Sequence, residues 1–158
     1  MSENPSIDAI DARILAELQR DASQSIEQIA QAVGLSQNPC WRRIKRLEAE
    51  GVIQQRVALV DPGRVGVGVT VFMSVRTSQH NDAWLKKFAR GVSSIPEVVE
   101  FYRMSGDVDY LLKIVVTDIA DYDRIYKRII RVADLQDVSS SFAMERIKYT
   151  TEIPLPSD

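Results

Sequence analysis

Ser36-Gln37-Asn38-Pro39-Cys40-Trp41-Arg42-Arg43-Ile44-Lys45-Arg46-Leu47-Glu48-Ala49-Glu50-Gly51-Val52-Ile53 is the stretch whose reading decides the fold. Ser36 can cap a helix, Pro39 falls in a first turn, where amides lack partners inside the helix, and Gly51 supplies a stop after Glu50. Cys40, Ile44 and Leu47 share one face at helical spacing, so Asn38, Trp41, Arg42 and Lys45 point elsewhere. A helix with an apolar back and a basic, polar front is the result.

Upstream, Ile7, Ile10, Ile14, Leu15 and Leu18 predict a helix over 8–20, with Asp8 and Asp11 favouring the dipole in its first turn. Ser25 followed by Gln28 is a capping-box pattern, and Ile26, Ile29, Ala30 and Val33 predict a short helix over 26–33 that Gly34 ends. Downstream, Val52 to Val60 is rich in β-branched residues and interrupted by Gln54, Gln55 and Arg56, which predicts a small hairpin or wing. Asp61-Pro62-Gly63 breaks that pattern, so residues 1–60 form one expected domain and 61–66 a linker.

Residues 67–158 are expected to form the second domain. Val67 to Arg76 reads as a strand, and Trp84, Leu85, Phe88, Ala89 and Val92 as a helical stripe. Val98 to Met104 is a second strand, Ser105 to Asp109 a turn, and Tyr110 to Val116 a third strand. Ile119, Tyr122, Ile125, Tyr126 and Ile129 form another helical stripe before a last strand over 138–149. The order β-α-β-β-α-β predicts a ferredoxin-like antiparallel sheet with both helices on one face, and an α+β class for the chain. The other face would be left wet, which a second copy could remedy.

The chain has 158 residues, 45% hydrophobic and 27% charged, ordinary for folded domains and too short for a large layered enzyme. It has no apolar run of roughly 18 residues, and the start MSENPSIDAID lacks the pattern of a signal peptide, so the cytoplasm is expected. One cysteine excludes an internal disulfide; Cys40 reads as a small core residue rather than a redox sensor. With only Cys40 and His80 as soft ligands, no metal and no cofactor are expected. The net charge of −2 does not announce a nucleic-acid binder, but its distribution does. Arg42, Arg43, Lys45, Arg46 and Arg56 cluster within 37–56, whereas 1–36 holds only Arg13 and Arg20 against six acids.

Three short helices, the third basic, followed by a wing, match the geometry in which the third helix enters the major groove of double-stranded DNA. Ser36, Gln37 and Asn38 can contact bases or phosphates, with Trp41, Arg42 and Lys45 on the same side. Arg43, Arg46 and Arg56 are better placed for phosphates. The bland alternative, a solvated charge run, does not account for the ordered caps and turns around it.

The stretch 36–53 also resembles the signature of the leucine-responsive, or Lrp/AsnC (feast-famine), transcriptional regulators, S-P-x-P-C-x-x-R-[IVL]-x-x-L-E-x-x-G-[IVL]-I, with Gln37 in place of the common proline. Ile7-Asp8-Ala9-Ile10-Asp11, Asp61-Pro62 and Ser105-Gly106-Asp107-Val108-Asp109-Tyr110 extend the likeness over nearly the whole chain. Pro39-Cys40-Trp41 and the ending Ser140 to Thr151 resemble the cysteine-responsive detoxification-regulator branch more than the leucine-responsive protein itself. The loop 131–136 departs from the family in lacking a Pro-Gly turn.

The resemblance implies homodimers that pair through their sheets and assemble further to tetramers or octamers, with a small amino acid or related metabolite bound between dimers. Ser105, Gly106, Asp107 and Asp109 become the leading effector-site residues on that basis, with Ser140 and Ser141 behind them. Glycine allows close backbone approach, and a carboxylate can pair with an α-ammonium group. Two other classes stay open: a metabolic enzyme built on the second domain, disfavoured by the lack of a nucleophile–base pair or Gly-rich phosphate loop, and an assembly module without ligand.

Overall fold

A computed structural model describes residues 6–79 and 81–155; His80, considered above as a metal ligand, lies outside them, as does the start at 1–5. The chain divides into two units, the described residues of Met1–Ala58 with Ile147–Asp158, and Leu59–Arg146.

The first unit holds α1 (Ala9–Arg20), α2 (Ile26–Val33) and α3 (Gln37–Ala49). Each start has a local cause. Asp8 and Asp11 form a reciprocal capping box on α1, and Ser25 and Gln28 form one on α2. Gly34, at φ 73°, closes α2 in a left-handed conformation that a side chain would disfavour. Ser36 occupies the N-cap of α3 but makes no side-chain cap. The third helical residue is Pro39, which has no N–H to donate, so the Ser36 hydroxyl is left for other partners. Ile14, Ile29, Cys40, Ile44 and Leu47 are buried together between the three helices. Each of the isoleucines and the leucine, moved from water into the core, contributes about 1.5–3 kcal/mol.

Directly after Gly51, Val52 and Ile53 fold back on that core, with Ile53 N–H donating to Leu47 O at 3.1 Å. The hairpin expected over 52–60 is not formed: these residues carry no strand, and Val57, Leu59 and Val60 are more than 60% exposed. A β-rich segment needs a pairing partner as well as propensity, and among the described residues the segment pairs with no strand. The unit is completed from far away in sequence. Gln19 Nε2 donates to Ile153 O at 3.2 Å, Ile153 N–H donates to Gln19 Oε1 at 2.8 Å, and Leu155 packs on the helical core. The segment from Ile147 therefore groups with the helices, whereas the sequence pattern alone carried the second domain through to its end.

The second unit contains β1 (Val69–Arg76), α4 (Asp82–Ser93), β2 (Val98–Arg103), β3 (Tyr110–Val116), α5 (Ile119–Ile130) and β4 (Asp137–Phe142), the expected order. The last strand stops at Phe142, short of 149, because Ala143 N–H makes the final ladder bond, to Thr70 O. The antiparallel sheet runs β2-β3-β1-β4. Alternate residues Val71, Met73 and Val75 of β1 and Leu112, Ile114 and Val116 of β3 are buried against Trp84, Phe88 and Val92 of α4 and Tyr122, Ile125 and Ile129 of α5. The opposite sheet face is exposed and mixed in character, with Phe72 and Tyr102 beside a Lys113–Glu100 ion pair at 2.6 Å. The loop without a Pro-Gly turn is fixed by Trp84 Nε1–H donating to Asp134 O, 3.2 Å, and Gln136 N–H donating to Arg76 O, 2.9 Å.

Candidate nucleic-acid interface and effector site

Burial of Cys40, Ile44 and Leu47 turns the other side of α3 outward, so Gln37, Asn38, Trp41, Arg42 and Lys45 form one exposed strip. Trp41 is 49% exposed and does not close a helix junction. Among the described residues Gln37, Asn38 and Arg42 have no polar partner within the chain, whereas Lys45 is shared with Glu48 at 2.7 Å. Arg56 also reaches Glu48, at 3.1 Å, and the adjacent Lys45 holds that carboxyl below its ordinary range.

Arg43 and Arg46 lie differently. Arg43 donates to Asp8 at 2.6 Å and to Asp11 at 2.8 Å, and Arg46 donates to the other oxygen of Asp11. Asp11 is buried, with 1% of its side chain exposed. A buried carboxylate requires compensating cations, and the two arginines supply them. Their guanidiniums are held firmly charged, Arg43 chiefly by Asp8 and Arg46 chiefly by Asp11. These two side chains thus clamp α1 to α3, a role that charge counting had not assigned them. A sequence signal existed: Asp11 interrupts the apolar stripe Ile7, Ile14, Leu18 at a core-facing position. Cys40 is fully buried, and desolvation pushes its thiol pKa up, as befits a core residue.

In the second unit the turn Ser105-Gly106-Asp107 is exposed, and Gly106 adopts φ 114° with open space where a Cβ would stand. Asp109 closes the turn: its backbone O accepts from Met104 N–H at 2.8 Å, and its Oδ2 accepts from Thr77 N–H at 2.8 Å. A small polar cavity beside it is lined by Gln79, Asn81, Asp82, Arg103, Asp109 and Tyr110. Only Asp109 of these was singled out from sequence; Arg103 and Asn81 carried no motif. Ser140 and Ser141 are elsewhere, on the edge strand β4 beyond β1, and alternate in direction. Ser140 shares a hydrogen bond with the Tyr122 hydroxyl on the helix side. The structure therefore does not gather the turn and the two serines into one pocket of a single chain.

A three-helix unit presenting a polar, cationic helix, joined to a separate ferredoxin-like unit, defines a two-domain DNA-binding regulator. Residues 7–54 match the family model described as winged helix-turn-helix DNA-binding, and residues 70–153 match the Lrp/AsnC ligand binding domain. The chain belongs to the Lrp/AsnC family of transcriptional regulators. It is 48% identical over 150 residues to the glutamate uptake regulatory protein of Zymomonas mobilis, covering 95% of this chain and 92% of that one. It is 46% identical over 150 residues to the DNA-binding transcriptional activator DecR of Escherichia coli, covering 94% and 99%. The crystal structure of a transcriptional regulator in complex with L-Met from Neisseria meningitidis superposes with a TM-score of 0.89 at 32% identity, over 94% of this chain and 97% of that one. Both relatives carry the names of regulators, the second that of a DNA-binding transcriptional activator.

Proposed function

We propose that this regulator reads operator DNA through the exposed strip of α3 and that a small amino acid on the second domain modulates the binding. The observation that carries the first half is the unpaired, outward-facing trio Gln37, Asn38 and Arg42, with Trp41 and Lys45 along the same side. Arginine pairs bidentately with guanine, and asparagine or glutamine with adenine. The free Ser36 hydroxyl and Arg56 suit phosphate contacts, while Arg43 and Arg46 hold the strip in place from behind. Acting on the chromosome puts the protein in the cytoplasm.

For the effector, the cavity beside Asp109 offers carboxylates for an ammonium group and Arg103 for a carboxylate, the two charges every free amino acid carries. Ser105, Gly106 and Asp107 border the same turn, and Ser140 and Ser141 would join the site only from another copy or another face. A second copy covering the open sheet face accounts for its exposed Phe72 and Tyr102, and further pairing gives a tetramer or octamer. The resemblance to the cysteine-responsive branch makes cysteine one of the amino acids to test.

Gel-shift titration with the DNA upstream of the protein's own gene tests the first half. Arg42→Ala is expected to weaken binding by about 1–3 kcal/mol without altering oligomer size. Full retention would sink the assignment. Calorimetric titration with a panel of amino acids tests the second: heat with one of them, abolished in Arg103→Ala, supports the site, and a silent panel favours an assembly module.

A further inference from the structure

The outer faces of α4 and α5 carry Lys86, Lys87, Arg90, Arg124, Lys127 and Arg128, with Arg131 just beyond, all exposed. Only three carboxylates, Asp82, Asp121 and Asp123, lie on the two helices, in a chain whose net charge is −2. Arg124 is paired with Asp121 at 2.7 Å and with Glu97, from outside the two helices, at 2.6 Å, and Lys127 is paired with Asp123. Among the described residues Lys86, Lys87, Arg90 and Arg131 have no partner, and Arg128 reaches only the Ser94 carbonyl, at 3.4 Å.

The two rows are neighbours. Gly91 of α4 lies against Val132, just after α5, so closely that a Cβ there would meet the Val132 methyl at 2.3 Å. One shallow groove is lined by Arg124, Lys127, Arg128 and Arg131 alone, and another by Lys86, Lys87 and Arg90 with small neighbours. Helix-dipole compensation explains Arg90, Lys127 and Arg128, which stand in last turns, but not Lys86 and Lys87 in mid-helix or Arg131 beyond the end.

We propose that this helix face is a second DNA-binding surface, which holds the phosphates of duplex flanking the operator without reading sequence. The proposal rests on the operator reading by α3 given above. Cations on successive turns from Arg124 to Arg131 span about 10 Å at 1.5 Å per residue, a length over which a duplex presents about six phosphates. Lys86, Lys87, Arg90, Arg128 and Arg131, which no carboxylate holds among the described residues, suit such diffuse binding, since each neutralised phosphate releases counterions whatever the bases are.

The test uses the full-length chain with Lys86, Lys87, Arg90, Arg128 and Arg131 changed to Gln, which leaves the Arg124 and Lys127 ion pairs intact. The probes are the shortest footprinted fragment of the gene's own upstream DNA and the same fragment extended by random duplex on both sides. Affinity is measured against salt concentration. The parent is expected to bind the extended fragment more tightly and with a steeper salt slope. The variant should bind the short fragment as the parent does, while its slope on the extended one falls by about 0.9 for each phosphate it no longer neutralises. Lys87→Gln with Arg131→Gln, a milder pair, should show the same trend at smaller size if the fivefold variant melts early. Identical slopes and affinities for parent and variant on both fragments would overturn the proposal, including the case where the face captures an acidic protein instead. Loss of short-fragment binding in Arg42→Ala reports on the operator reading separately. A parent that binds neither fragment refutes that reading and this one together.

Discussion

Asp11→Asn removes one charge from the centre of the α1–α3 clamp while keeping the side chain's size. In the parent both Asp11 oxygens accept from arginine, and Oδ2 also accepts from Asp8 N–H at 3.2 Å. The amide keeps one oxygen but turns an N–H₂ toward a guanidinium, leaving a donor facing a donor. Removing one partner of a buried pair costs about 3–5 kcal/mol. Arg43 and Arg46 are 29% and 40% exposed and can recover part of their hydration, so a loss of about 2–3 kcal/mol is expected. For a unit of roughly 70 residues that lowers its melting transition by roughly 10–20 °C. Scanning calorimetry of the full chain reads it, with the transition of the sheet unit as internal reference. A drop under about 2 °C would show that the arginines contribute no more than solvated surface charges and would refute the clamp.

Gly91→Ala should lower the sheet unit's melting point, because overpacking against Val132 costs about 1–3 kcal/mol, against a gain of about 1 kcal/mol in helix propensity. Adding Val132→Ala should restore most of it, and no rescue would mean that the close approach is not the cause. Stability should also fall in acid. Asp8 is held low chiefly by the Asp11 N–H, Glu97 by Arg124 and Glu100 by Lys113. Carboxyls with lowered folded pKa stabilise above their ordinary values, near 3.8 for Asp and 4.5 for Glu, and lose that contribution as pH falls through the folded ones. Melting temperature should therefore be level from neutrality to about pH 5 and decline below, less steeply for the sheet unit in Glu100→Gln; an unchanged slope would exclude the Lys113 pair as a contributor.

Elements whose cause is local were legible in the sequence. Ser25 with Gln28 and Gly34 bracket α2 within a few residues, and alternation along Val69–Arg76 and Tyr110–Val116 marks strands with one buried face. The exposed strip of α3 followed from the positions of Cys40, Ile44 and Leu47. What depends on distant partners was not legible. Residues 52–60 have strand composition but nothing to pair with. Arg43 and Arg46 read as phosphate contacts in the sequence, and their pairing with Asp8 and Asp11, more than thirty positions earlier, is visible only in the fold. Ser140 matched the family's effector region by place in sequence, yet its hydroxyl is occupied by Tyr122.

The return of the chain to α1 bears on how the protein is made. With Gln19 bonded to Ile153 and Leu155 seated on the helical core, the DNA-binding unit is assembled from segments on both sides of the sheet unit in sequence. A fragment stopped after residue 58 would lack the half-buried Leu155 and the Gln19–Ile153 hydrogen bonds. On the ribosome, the three helices emerge early but wait for the intervening sheet to be synthesised before their last neighbours arrive. A product that ends before Ile153 is expected to hold its helical unit less firmly than the whole chain, because those contacts form only once the segment after the sheet is present.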